Sequence, residues 1–266
     1  MPTVVITGAG SGLGRALAQA WATRGWQVVA TDRDGGAAAT TVRSLAGSAA
    51  HLHAALDVTR NADFEALVAT LDEQSVDVDV MVNNAGVAGA GLLTSTPLEH
   101  WDQVLDINLL GVVRGCRAFA SKMTARKTGH IVNIASFAAI ANAPAMSTYN
   151  VTKAGVVALS ETLRTELNDD NIGVTVVCPS FFETNLLEDA AGFGIDIKSV
   201  GRKLMSQSPI SADDVAVSIL NAVEAKSFMC IPHRDARWLY RLKRFAPETF
   251  ARIMVKKARG MLRKAS

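Results

Sequence analysis

Short apolar runs recur along this chain, each closed by a glycine, a small polar residue or a proline, and longer amphipathic stretches separate them. Unbroken apolar runs of that length read as strands buried on both faces, and the stretches between them as helices. The strands expected are 3–6, 26–31, 51–56, 79–82, a run from His130 that ends at Ser136, 173–178 and 227–231. The helices expected are 15–25, 36–45, 61–74, a long one from Pro97 to about Ala125, 148–168 and 211–225. Residues 181–207 have no strong period and read as loop and short helix. A segment of that length after a strand edge is suited to covering a substrate.

The first unit places a glycine-rich turn between a strand and a helix. It reads Thr7-Gly8-Ala9-Gly10-Ser11-Gly12-Leu13-Gly14, and Asp32 closes the next strand. Glycines let backbone approach a pyrophosphate, the helix N-terminus offers amides, and the acid suits adenosine ribose hydroxyls. Dinucleotide binding is expected here. Asp32 welcomes two hydroxyls and repels a 2′-phosphate, and Ser11 is not basic, so NAD is the expected cofactor. Arg33 keeps NADP as the alternative, because an arginine at this place pairs with that phosphate; its other reading is a solvated loop charge. Asp57 and Val58 are expected at the adenine, although Asp57 just before Thr59 equally suits a helix N-cap. Asn83-Asn84-Ala85-Gly86 follows a strand, where a crevice would hold the cofactor; a plain turn also accounts for it.

Tyr149 and Lys153 are four residues apart and share a helix face. Ser136 ends the preceding strand, and a loop containing Pro144 folds back between them. A phenol, an ammonium and a hydroxyl can thereby surround one substrate oxygen. A free tyrosine titrates near about 10, too high for a base at neutral pH. An ammonium roughly 5 Å away contributes about 3 kcal/mol at an effective dielectric of about 20, or about two pKa units. Tyr149 is thus expected as a proton donor or acceptor, with Ser136 hydrogen-bonded to the same oxygen. Asn108, an amide within the long helix, is expected to hold a water that links Lys153 to solvent.

With these motifs placed, the chain resembles the short-chain dehydrogenase/reductase family over roughly residues 2–232. The resemblance rests on TGAGSGLG, Asp32, Asp57-Val58, NNAG, Asn108, Ser136, YNVTK and a proline followed by Thr184. It implies an α/β fold: one Rossmann-type doubly wound domain, 1–232, with a seven-stranded parallel sheet. It implies a tetrad of Asn108, Ser136, Tyr149 and Lys153, the lysine also binding the nicotinamide ribose. It implies hydride transfer between the nicotinamide and a carbonyl or hydroxyl carbon, and a homodimer or homotetramer formed through the two long helices. Pro179 and Thr184 join the cofactor set, Thr184 at the carboxamide or as a loop cap. Ala138, Ala143, Met146, Phe181, Phe182 and Leu186 are expected to line an apolar pocket for a lipophilic alcohol or ketone. One departure stands out: the family's usual Pro-Gly is Pro179-Ser180 here, which removes easy access to positive φ. A cofactor-sensing or membrane-docking module without catalysis, and an epimerase or dehydratase, are the competing readings.

Composition adds limits. Cys116, Cys178 and Cys230 are too few and too irregular for a disulfide framework or metal site and read as reduced thiols. Met1-Pro2-Thr3 runs directly into a strand, so no leader is expected, and a cytoplasmic location follows. The net charge of +2 conceals a basic tail, 233–266, with eleven Lys/Arg against two Asp/Glu. Trp238, Leu239, Leu242 and Phe245 share one helical face there, with Arg237, Arg241, Lys243 and Arg244 around it. A second helix repeats the pattern after Pro247. This helical extension is expected to dock on its own domain or a sister subunit; contact with an anionic membrane is the alternative, and nucleic acid is not expected.

Overall fold

The computed structural model describes residues 1–47, 49–184, 186, 192–193 and 197–265, with backbone alone at 192, 197–200, 204 and 257–265. Strand and helix alternate at first: β1 (Thr3–Thr7), α1 (Gly12–Thr23), β2 (Gln27–Asp32), α2 (Gly35–Arg43), β3 (Leu52–Ala55), α3 (Asn61–Glu73) and β4 (Val80–Asn83). A two-residue strand, β5 (Ala90–Gly91), precedes α4 (Leu98–Leu105), a π-helical turn (Asp106–Leu110) and α5 (Gly111–Arg126). Then come β6 (Gly129–Ile134), α6 (Ala138–Ala141), α7 (Ser147–Glu166) and β7 (Ile172–Val177). The last elements are β8 (Gly192–Phe193), α8 (Ile197–Ser206), α9 (Ala212–Glu224), β9 (Met229–Cys230), α10 (Arg234–Phe245) and α11 (Pro247–Ala265).

Seven strands form one parallel sheet in the order β3-β2-β1-β4-β6-β7-β9. The order reverses between β1 and β4, so a crevice opens at their C-terminal ends. The central strands are apolar throughout because helices cover both faces. One face packs Phe64, Met81, Phe119, Met123 and Ile131 under α3 and α5. The other packs Ile6, Leu17, Trp21, Ile219 and Leu220 under α1 and α9. Ser211 and Asp214 form a reciprocal capping box at the start of α9, worth about 1 kcal/mol to its N-terminus.

Two features depart from expectation. The long helix is interrupted by the π-turn around Asn108. A small parallel pair, β5 with β8, joins the loop after β4 to the segment after β7; two-residue strands leave no pattern to read. Within the expected substrate cover, 181–207, residues 185, 187–191 and 194–196 lie outside those described. The extension packs on the body through Ala236, Leu239 and Tyr240 of α10. Lys243 donates from Nζ to the Ile140 carbonyl of α6 at 2.6 Å. Phe250 of α11 is buried beneath the same ammonium. Trp238 and Phe245 remain exposed, at 58% and 85%. Among the described residues no helix is long and apolar enough to cross a membrane.

Candidate active site

Gly8 has φ +65°, and a Cβ on Gly14 would lie 2.1 Å from the Gly8 carbonyl oxygen, so the turn closes only around hydrogen. Asn84 fastens it, donating from Nδ2 to the carbonyls of Thr7 at 2.8 Å and Gly8 at 3.2 Å. The Thr7 hydroxyl accepts from the amides of Asn84 and Ala85. Sequence reasoning placed Thr7 in the turn but gave its hydroxyl no role, and it missed Arg15, whose guanidinium donates to the Gly10 carbonyl and to Thr41. Neither carried a signal beyond standing in or beside the turn. At the N-terminus of α1, Ser11 makes no capping bond with its side chain, and the first turn holds no acid. The leading amides thus face the crevice as an anion site. The arrangement fits a dinucleotide pyrophosphate.

Asp32 stands at the end of β2. Its Oδ2 accepts from the Gly10 amide at 2.9 Å and its Oδ1 from the Asp34 amide at 3.1 Å. Arg33, beside it, is exposed. Asp57 accepts from the amide and hydroxyl of Thr59, and the amide bond is the main cause that holds its carboxyl below the ordinary range. That bond closes the turn before α3, whose N-cap is Arg60, so Asp57 does not cap the helix as its alternative reading expected. Val58 is buried, against Gly111.

The π-turn carries Asn108 inward. Its Oδ1 accepts from the Val87 amide at 2.8 Å, and its Nδ2 donates to the Val87 carbonyl at 2.9 Å. A Cβ on Gly86 would sit 3.0 Å from Asn108 Oδ1 and 3.5 Å from Lys153 Nζ. Glycine therefore leaves the amide and the ammonium facing one space. Lys153, fully covered, donates to the Ile134 carbonyl at 2.8 Å. Its Nζ lies 5.7 Å from the Tyr149 ring centroid. The Ser136 hydroxyl, which accepts from the Ala138 amide at 3.1 Å, is close enough to the Tyr149 phenol to act on its titration. The structure thus brings Asn108, Ser136, Tyr149 and Lys153 to one cleft, at the C-terminal ends of β4 and β6.

The expected depression of Tyr149 by its lysine is not found. Burial pushes the phenol up to about 12, with the Ser136 hydroxyl pulling the other way. Burial also lowers Lys153 to about 8. The reason is geometric. The ammonium lies over the ring and spends a hydrogen bond on a backbone carbonyl, while withdrawing a phenolate from water costs more than the cation returns.

The expected pocket residues separate. Ala138 and Ala143 are half-buried beside the cleft, on α6 and the loop after it, and Met146 is the N-cap residue of α7 and bridges to Gly91. Phe181 is exposed at 37%. Phe182 belongs to the core packed under α1 and α9, because the backbone turns it inward rather than toward the cleft. The Thr184 hydroxyl accepts from the Leu186 amide at 3.3 Å, the loop-cap arrangement. Pro179 is buried, and its carbonyl accepts from the Phe137 amide at 2.8 Å. Ser180 adopts no positive φ, so the serine in place of glycine is accommodated without strain.

Fold and cleft together define a doubly wound dinucleotide-binding protein with a tyrosine–lysine pair at its switch point. The family model for short chain dehydrogenase matches residues 2–192, and the chain belongs to that family. It is 37% identical over 257 residues to "Probable oxidoreductase EphD" of Mycobacterium tuberculosis, an alignment that covers 92% of this chain and 43% of that protein. The chain therefore spans less than half the length of that relative. A crystal structure of a short chain dehydrogenase/reductase from Burkholderia phymatum in complex with NAD superposes with a TM-score of 0.85, at 32% identity, covering 93% and 94% of the two chains. A short-chain dehydrogenase from Sphingobium yanoikuyae in complex with NADPH gives 0.73 at 32% identity, covering 90% and 91%.

Proposed function

We propose that the chain is an oxidoreductase that moves a hydride between a nicotinamide dinucleotide and the carbon of a hydroxyl/carbonyl pair. One observation carries this reading: Ser136, Tyr149, Lys153 and Asn108 meet at the sheet's switch point, beside an uncapped helix N-terminus. The dinucleotide, when bound, supplies the hydride donor or acceptor. The protein's own part is the proton and the oxygen. Ser136 orients the substrate oxygen, Tyr149 Oη gives or takes its proton, Lys153 keeps a positive charge behind the phenol, and Asn108 anchors a relay to solvent. Residues 1–232 form the coenzyme-binding and catalytic domain in this reading.

Asp32 favours NAD, and the exposed Arg33 is the route by which NADP would be accepted. Ala138, Ala143 and Met146 favour a lipophilic alcohol or ketone. A second copy of the chain packs on α4–α5 and α7, where Leu98, Leu110 and Val151 are exposed. A screen of alcohols and ketones with each coenzyme, followed by Tyr149→Phe on the best substrate, tests the proposal. Turnover should drop by about 10²-fold or more; a loss under about tenfold would leave the phenol without its role. Firm coenzyme binding with no turnover across the panel would favour a sensor, and a redox-neutral product would mark an epimerase or dehydratase.

A further inference from the structure

His233 is the last residue before α10, and its ring is buried at 3% exposure. Nothing in the catalytic set accounts for it. Its Nδ1 accepts from the Ser180 amide at 3.1 Å, and its Nε2 donates to the Phe181 carbonyl at 3.0 Å. One neutral imidazole, protonated on Nε2, satisfies a donor and an acceptor on consecutive residues. The ring also lies 6.4 Å from that of Phe182. On the other side of the same loop, Pro179 accepts from Phe137, the neighbour of Ser136. Successive residues 179, 180 and 181 are therefore each fixed through the backbone, one from the catalytic strand's end and two from the extension.

We propose that His233 is a positioning residue, by which the C-terminal extension sets the path of the loop 179–184 at the coenzyme cleft. This rests on the reading of that loop as the nicotinamide side of the site. The physical logic lies in Ser180. Its amide and the carbonyl of Phe181 have no partner within the loop: no side chain of residues 179–184 bonds those two peptide groups. The imidazole spans them both, and it is held in turn by its own backbone: the His233 carbonyl accepts from Arg237 in the first turn of α10, and Arg237 donates from Nη1 to the Ile231 carbonyl at 3.3 Å. A buried amide or carbonyl that loses its partner does not stay where it was. Without the ring, the loop moves and carries Thr184 out of register with the cleft.

The test uses the full chain and His233→Phe, which fills the space without either nitrogen. Calorimetric titration with NADH, NADPH and ADP-ribose separates the two ends of the dinucleotide, since ADP-ribose has no nicotinamide. The dissociation constant for the preferred reduced coenzyme should rise about tenfold, while that for ADP-ribose stays within about twofold. Deuterium exchange should quicken at residues 179–184 and remain unchanged in β7 and α9. His233→Gln, which keeps a donor and an acceptor on a neutral group, should recover most of the affinity. Equal losses for both ligands, or no loss with unchanged exchange at 179–184, would overturn the proposal. If the phenylalanine variant does not fold, His233→Asn replaces it: it keeps the bond to Ser180 alone, so both readouts should move the same way by less, and wild-type values would overturn the proposal. Wild-type protein that binds none of the three ligands would remove the coenzyme reading itself, and the exchange measurement would still decide whether His233 fixes the loop.

Discussion

At the scale of single residues, the spacing of Tyr149 and Lys153 was readable because a helix puts positions four apart on one face. Their titration was not, because burial depends on everything packed around them. With Tyr149 raised to about 12 and Lys153 lowered only to about 8, the phenol keeps its proton at neutral pH and the lysine its charge. Under the proposed function, the protein at rest is therefore set to protonate a carbonyl oxygen. Carbonyl reduction should hold steady toward neutral pH, while alcohol oxidation, which needs the phenolate, should climb with pH through the alkaline range. Initial rates in both directions between about pH 6 and 10 check this, and an oxidation rate that is flat across the range would contradict it. Asp32 offers a second residue-scale test. Under the proposed function Asp32 repels a 2′-phosphate, so Asp32→Ala should shift the NAD-to-NADP ratio of kcat/KM toward NADP by about tenfold or more.

At the scale of elements, the glycine-rich turn was legible as a motif, since strand, glycines and helix come in a fixed order. The π-turn was not. An extra residue in a helical turn shifts the apolar phase by a single position, which does not stand out in so mixed a run, yet it aims Asn108 at Val87 and Lys153. Such bulges concentrate at functional sites. Asn108→Ala strips two buried bonds from the Val87 peptide. It should cost about 1–3 kcal/mol in urea unfolding, and reduce kcat more than coenzyme affinity. Unchanged stability would mean the Val87 peptide finds other partners. The link from the extension to the site was also invisible in sequence: His233 and Ser180 lie far apart in the chain, and only the pairing of β7 with β9 brings them together.

At the scale of the whole molecule, the parallel sheet buries polar groups as well as apolar ones, at both ends of its strands. The candidate active-site cleft is one end. At the other, His130 of β6 pairs its Nε2 with the Thr175 hydroxyl at 2.8 Å, and Thr175 donates to the Ser227 carbonyl. The apolar run HIVNIAS identified the strand but said nothing of this contact, because it is made by residues of three separate segments. Burial, helped by the charge of Lys226, lowers His130 to about 4 from 6.5. The sign follows directly. Between those values the unfolded chain takes up a proton that the folded chain refuses, so stability falls as pH drops below 6.5 and levels off below about 4. Going from pH 7 to 5, this one ring should cost about 2 kcal/mol. His130→Gln keeps an amide beside Thr175 but cannot titrate. Its urea midpoint should therefore fall less over that interval than the wild type's, the remainder coming from groups such as His233, which burial also lowers. Identical pH dependence in the two proteins would show that His130 gains its proton without opening the sheet.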